Sequence, residues 1–459
     1  VTAAALDRPS LGAAPGRGGP PHVAVAGGGL LGMLLALRLA QSGHPVTLLE
    51  AAPTGGGLAG AQRIGGHDWD RFYHVVLLSD LRTRALLDEL GLGDRLRWGT
   101  TRTGFYTDGA LHSMSDALEF LRFPPLGLVD KLRLGATIFG ASRIRDGHAL
   151  ERTTAIDWLT RWSGERVVEK IWRPLLASKL GDNAPLASAA FIWAIIARMY
   201  AARRAGLKRE LFGWIDGGYA CVIDALQGRL DAAGVTTLRG ARVTEIAGDA
   251  RGARATLADG RVVEADRLVS TLPVPVFAQA CRGLPAEVRA RLDAVVTQGI
   301  VCPSLLIERP LSPYYVTNVT DRWVPFTGVI EMTALVDPAR FGGRSLVYLP
   351  IYLPQQSARW QDDDATVLDA CIDALERMYP HFTRAQVVDA KVARARHVLA
   401  VPTVDYSARA LPPTRSGLPN VLVLSSAQIA LGTLNVDETV GVVEQRLSAL
   451  RAALAEPAR

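Results

Sequence analysis

A glycine-rich loop between two short apolar strands constrains this chain more than any other feature. His22–Ala26 reads as a strand, Gly27-Gly28-Gly29-Leu30-Leu31-Gly32 fits the GxGxxG spacing, and Met33–Ser42 reads as an apolar helix. Gly43 stops that helix, and Pro45–Leu49 forms a second buried strand ending in Glu50. Each part has a physical reason. Gly27 permits the tight turn, Gly29 lets a pyrophosphate approach the backbone, and Gly32 lets the helix pack closely on the strand. The helix N-terminus, with Leu30 and Leu31 leading into it, then offers unpaired N–H groups and a positive dipole end to phosphates. Glu50, 18 residues past Gly32 with Ala51 beside it, stands where a carboxylate accepts hydrogen bonds from an adenosine ribose. Glycine spacing alone is a weak signal, and a ligand-free turn is the plain alternative. Strand, helix, second strand and acid in their proper places favour a bound dinucleotide.

The residues after Glu50 separate the two common dinucleotides. Gly55, Gly56, Gly57 and Gly60 form a second glycine cluster around Leu58 and Ala59, where a nicotinamide enzyme would begin its next helix. Such a cluster suits a backbone that wraps a larger cofactor along its ribityl–pyrophosphate edge, a surface loop being the other reading. A dinucleotide fold, an acid, then a Gly–Gly pair six or seven residues on resembles the superfamily of flavin amine oxidases, protoporphyrinogen oxidases and phytoene desaturases. In pattern it is most like bacterial protoporphyrinogen-oxidase-like proteins. Gly56 and Gly57 hold the pair. The family often has Arg next, whereas Leu58 stands here and removes one polar contact near the flavin.

The resemblance continues along nearly the whole chain. Gly213–Tyr219 with the helix Cys221–Ala232 resembles the family's second Gly–Gly segment. Thr237–Ile246 is similar to the strand whose valine, here Val243, contacts adenine, and Asp266–Pro273 to the strand leading back, with Thr271 at the cofactor. Gly417–Leu424 reads as a last strand, followed by Ser425–Ile429, Gly432–Asn435 and a helix over Glu438–Ala452. The resemblance sets this turn and helix N-terminus at the pyrimidine end of the flavin and adds Gln428, Leu434 and Asn435 to the cofactor residues. It implies non-covalent FAD, since Ser425–Ile429 offers no cysteine for a thioether. The implied fold class is α/β: a discontinuous, GR2-like Rossmann-type FAD-binding domain with a mixed α+β substrate domain. The expected boundaries are a flexible tail over 1–21, FAD-binding segments over 22–100, 212–275 and 400–459, and substrate segments over 101–211 and 276–399. Periodicity makes the first substrate segment mainly helical, from Asp116 to Arg198. The second reads as strands over Gly299–Glu308, Phe326–Leu335 and Ser345–Leu353, then a helix over Ala365–Tyr379.

Classical amine oxidases of this superfamily carry a lysine on the strand entering the substrate domain, and Val301 stands at the matching place with no lysine near it in sequence. Amine oxidation recedes accordingly. Trp172–Ser188 resembles the protoporphyrinogen-oxidase segment that borders the active site. The reading is an FAD-dependent oxidoreductase that takes a hydride from a hydrophobic or partly anionic organic substrate, leaving the hard chemistry to the cofactor. The runner-up is a non-redox sugar mutase similar to UDP-galactopyranose mutase. A flavin-binding partner protein without turnover is the third. His74, in Asp68–His74, stands where a proton donor, a flavin neighbour or a packed histidine would each fit. Arg173 is the second catalytic candidate. With Arg71 and Lys179 it suits an anionic substrate, though solvation or a salt bridge explains each singly.

Composition adds exclusions. Of 459 residues, 51 are Lys or Arg and 45 Asp or Glu, and the +6 excess is spread too thinly to make a nucleic-acid arm. Four cysteines (Cys221, Cys281, Cys302 and Cys371) lie too far apart for a zinc knuckle or a disulfide framework, and no metal is expected. The tail lacks the apolar core of a signal peptide, so a cytoplasmic protein is expected. The apolar run Ala189–Tyr200 followed by Arg203 and Arg204 reads as a buried helix, a greasy channel or a peripheral membrane contact. The electron acceptor stays open between oxygen, a quinone and a carrier protein.

Overall fold

The computed structural model describes residues 19–115, 117–203 and 211–456. Of the tail expected over 1–21, residues 1–18 lie outside the described residues, as does Arg204. Five parallel strands run side by side in the order Thr236–Leu238, Val46–Leu49, Val23–Ala26, Arg267–Ser270, Val421–Val423. Three distant stretches of chain therefore build one sheet. Nearly continuous apolar runs are what a parallel sheet covered on both faces requires. Alternation along Val23–Ala26 serves the two faces. Val23 and Val25 pack with the helices Leu30–Gln41, Gly218–Ala232 and Val436–Ala455, while Ala24 and Ala26 meet Ile246, Ala253 and Val263 of a small antiparallel sheet. The α/β fold with a Rossmann-type sheet is the fold observed.

A second, eight-stranded sheet stands beside the first. Its spine is Thr297–Ile307, buried at every residue and paired with Ile351–Pro354, Ser345–Tyr348 and the long strand Val387–Ala400. The helix Asp364–Met378 covers one face of this sheet. The helices Ala155–Ser163, Arg173–Leu180 and Ala189–Arg203 share a further core, in which Phe191, Ile192 and Ile196 are buried. No helix among the described residues is long and apolar enough to cross a membrane.

Three boundaries differ from the sequence reading. The strand expected over Thr237–Ile246 is two strands in different sheets, Thr236–Leu238 and Val243–Asp249. The chain turns between them at Gly240, where φ is +66°. The strand expected over Ser345–Leu353 is also two, interrupted at Pro350, which has no N–H for a ladder. Phe326–Leu335 keeps strand geometry only over Gly328–Glu331. There Glu331 is fully buried and accepts hydrogen bonds from the Leu311 N–H (3.0 Å) and the Thr333 (3.1 Å) and Ser345 hydroxyls.

Candidate functional site

The loops leaving the carboxyl ends of the parallel strands converge on a cavity of about 450 Å³, the place where open parallel sheets bind ligands. Gly27 turns there with φ +110°, a conformation that disfavours any side chain. The Thr271 hydroxyl donates to the Gly27 carbonyl (3.0 Å) and ties the turn to the neighbouring strand. Glu50 accepts from the Gly28 N–H (2.8 Å) and the Ala52 N–H (2.7 Å). Its carboxylate thus fixes the glycine loop as well as facing the cavity, and each oxygen keeps a lone pair for a ribose hydroxyl.

The second glycine cluster folds onto the first. The Gly56 N–H donates to the Gly28 carbonyl (2.8 Å), and a Cβ on Gly57 would stand 3.0 Å from the Gly29 Cα. Two backbones without side chains thereby form a cradle. Gly29 begins the helix Leu30–Gln41 with no side-chain cap and no acid in the first turn, so the N–H groups of that turn carry no acid of their own helix. That arrangement fits the pyrophosphate of a dinucleotide. Next to Leu58, the Arg71 guanidinium donates to the Gly57 carbonyl (2.6 Å) and braces this second loop from behind.

Of the sixteen cofactor residues expected from sequence, all but Gly32 and Gln428 line the cavity. Gly32 sits beneath it, where a Cβ would lie 1.9 Å from the Gly27 carbonyl oxygen, so its role is close packing. Gln428 turns away: its side-chain oxygen accepts from the Ser425 N–H (3.2 Å) and its amide donates to Pro412 (3.0 Å), closing its own turn. Ser426 lines the cavity in its stead. Asn435 caps the helix Val436–Ala455 by accepting from the Glu438 N–H (2.9 Å), which places a second helix N-terminus at the cavity.

The two catalytic candidates part company. Arg173 is no wall of the cavity; it pairs with Glu169 one turn earlier (2.8 Å), and both side chains are exposed. His74 does line the cavity, its ring 4.8 Å from that of Tyr219 and its Nδ1 3.4 Å from the buried Asp70 carboxylate. The strand position facing the cavity is Ile300 rather than Val301, whose side chain points to the opposite core with Trp360 and Val367.

Of the three cations that suited an anionic substrate in the sequence, Lys179 alone lines the cavity. Lys179, from the helix Arg173–Leu180, donates to the Tyr73 hydroxyl (2.7 Å), which in turn lies 3.1 Å from the Tyr352 hydroxyl. All three line the cavity. Pro174 near the helix start lacks an N–H, and the turn before it, Val168–Trp172, widens to π geometry. Burial raises both tyrosines well above their ordinary value, so they stay neutral. Burial, with Arg396 adding to it, lowers His397, the other histidine of the wall.

Known proteins resemble this one over the same regions. The family model described as flavin containing amine oxidoreductase matches residues 32–429. Coproporphyrinogen III oxidase of Mycobacterium tuberculosis (strain ATCC 25618 / H37Rv) is 27% identical over 308 residues, 63% of this chain and 67% of that protein. In fold, a protein from Exiguobacterium sp. 255-15 provisionally called a protoporphyrinogen oxidase superposes with a TM-score of 0.73 at 17% identity, covering 94% of this chain and 99% of that one. Reduced UDP-galactopyranose mutase superposes with a TM-score of 0.68 at 17% identity, covering 95% and 96%. At such identities these two likenesses establish the architecture alone. With a family match over most of its length and the paired glycine cradle in place, the chain belongs to the flavin containing amine oxidoreductase family and is a flavin-dependent oxidoreductase.

Proposed function

We propose that the protein binds FAD non-covalently and removes a hydride from a hydrophobic or partly anionic organic substrate, with a reduced, carboxylate-bearing tetrapyrrole as the first class to test. The observation that carries this reading is the continuity of the cavity. It runs from the glycine cradle and Glu50 to a wall of Tyr73, Ile300, Tyr352 and Val398 with one lysine in it. Bound FAD supplies the two-electron acceptor. The protein's own part is to orient the donor carbon and exclude water, which the apolar wall and the neutral tyrosines suit. No cysteine lines the cavity, which favours a non-covalent cofactor.

Two measurements test the reading. Acid precipitation should leave the flavin in the supernatant; a yellow pellet overturns non-covalent binding. Adding coproporphyrinogen III, the compound named for the mycobacterial relative, to the oxidised protein without oxygen should bleach the flavin band. The mutase reading draws on His74 in the wall beside Asp70. Turnover of a sugar nucleotide only after dithionite reduction, with no net electron transfer, would replace the first reading with that one.

Glu50 gives a sharper prediction at the other end of the cavity. Glu50→Ala removes a charged acceptor for the ribose and leaves the Gly28 N–H without its partner. A charge-assisted bond of about 1.5–3 kcal/mol corresponds to roughly ten- to a hundredfold in FAD affinity. Titration of apoprotein with FAD measures it, and unchanged affinity in a folded variant places Glu50 outside the cofactor site.

A further inference from the structure

We propose that Lys179 is the receptor for an anionic group of the substrate, a carboxylate, and so sets which substrates the cavity accepts. The proposal rests on the reading of this cavity as a flavin and substrate site. Among the described residues lining the cavity, Lys179 is the only Lys or Arg, and no carboxylate pairs with it. One of its three ammonium protons goes to the Tyr73 hydroxyl at 2.7 Å. The ammonium also stands 5.6 Å from the Tyr352 ring centroid, within cation–π range. A hydroxyl and an aromatic ring hold the charge in place without neutralising it.

The other groups of the wall do not supply the missing counter-charge. Tyr73 and Tyr352 are kept neutral by burial. Glu50 holds the Gly28 and Ala52 N–H groups at the glycine-cradle end of the cavity and forms no ion pair with Lys179. His74 already faces the Asp70 carboxylate, and burial, with Arg396 adding to it, lowers His397. A half-buried ammonium with two protons to spare favours an arriving anion, because the partner replaces hydration that the wall removes.

Lys179 is also built in rather than merely present. It lies in the last turn of its helix, where a cation suits the dipole. The helix ends at Gly181, φ +52°, where a Cβ would meet the Tyr352 carbonyl oxygen at 2.7 Å. Asn183 just beyond donates to the Gln298 side chain (2.6 Å). The helix end is thereby fastened to both strands that carry the cavity wall, and the ammonium is positioned by backbone contact. The apolar neighbours Ile300 and Val398 suit the uncharged body of a substrate of which one carboxylate reaches Lys179.

The test compares benzoate with benzamide, which share a shape and differ in charge. The flavin-loaded protein is titrated with each, followed by perturbation of the flavin absorbance and by calorimetry. The wild type should prefer benzoate by roughly ten- to a hundredfold, the range of one charge-assisted hydrogen bond. Lys179→Met and Lys179→Gln should lose that preference while benzamide binding stays within about threefold, and Lys179→Arg should keep most of it. A wild type without the preference overturns the proposal. So does a neutral variant that retains it, and so does one that loses flavin while its loaded fraction still discriminates, since the charge would then serve the cofactor. None of these results touches the oxidoreductase reading, which stands or falls on the bleaching of the flavin.

Discussion

Gly32→Ala is expected to yield a protein that melts early and purifies with little or no flavin. The added methyl would stand 1.9 Å from the Gly27 carbonyl oxygen, 2.8 Å from the Thr271 hydroxyl and 3.0 Å from the Gly27 carbonyl carbon. Two of those atoms are backbone of the turn itself, so relief requires the helix to retreat from the strand. Overpacking costs typically about 1–3 kcal/mol, and a clash with backbone belongs at the upper end. The retreat also pulls the helix N-terminus away from the cradle, so affinity for the flavin falls together with stability. Flavin-to-protein ratio and thermal melting measure both. Gly135→Ala is the control: it lies exposed in the helix Leu128–Ala141 with nothing within 4 Å of the new Cβ, and should leave stability level or raised by about 0.4–1 kcal/mol. Full flavin content in the Gly32 variant would remove close packing as the reason for this glycine.

Stability should also fall as pH rises from 5 to 8, through Glu331. Burial outweighs the hydrogen bonds from Ser345, Leu311 and Thr333, and the carboxyl is pushed up to about 7 from an ordinary 4.5. Between those values the folded protein holds a proton that the unfolded chain has released. The contribution is therefore fully present below the unfolded value and is lost as pH climbs through the folded one. The shift corresponds to about 3 kcal/mol. Glu331→Gln keeps an oxygen acceptor and cannot ionise, so its melting temperature should change less between pH 5 and pH 8 than that of the wild type. Parallel profiles for the two proteins would show that Glu331 is not the titrating group.

The cofactor half of the site was legible because its requirements are local. A turn with positive φ, a backbone approach and an acid at the end of the next strand leave glycines and a glutamate at fixed spacings, and Gly27, Glu50 and Gly57 all meet at the cavity. Lys179 stood in the sequence only as one of three cations suited to an anion, with no spacing to single it out from Arg71 and Arg173. It is one lysine on a short helix, and only packing of that helix against Tyr352 and Gln298 brings it to the cavity. The Gln428 side chain closes a capping turn three residues after Ser425, while its neighbours Ser426 and Asn435 face the cavity. Arg173 carried an acid four residues before it, Glu169, which a helix places within reach. The strand Val387–Ala400 went unread although its charges alternate. Its inward positions include small alanines such as Ala393, which give a weak apolar signal beside Lys391, Arg394 and Arg396.

The order of strands in the parallel sheet also dictates when the cradle can become a binding site during synthesis. Val23–Ala26 precedes the rest of its sheet in the chain, yet one of its two neighbours is Arg267–Ser270, and the strand beyond that is Val421–Val423. Thr271, which ties down the Gly27 turn, arrives some 244 residues after it. Asn435 and its helix follow later still. Closing such long loops slows folding more than it weakens the finished fold. A nascent chain on the ribosome thus displays both glycine loops long before the strands and helix that close the cradle have emerged.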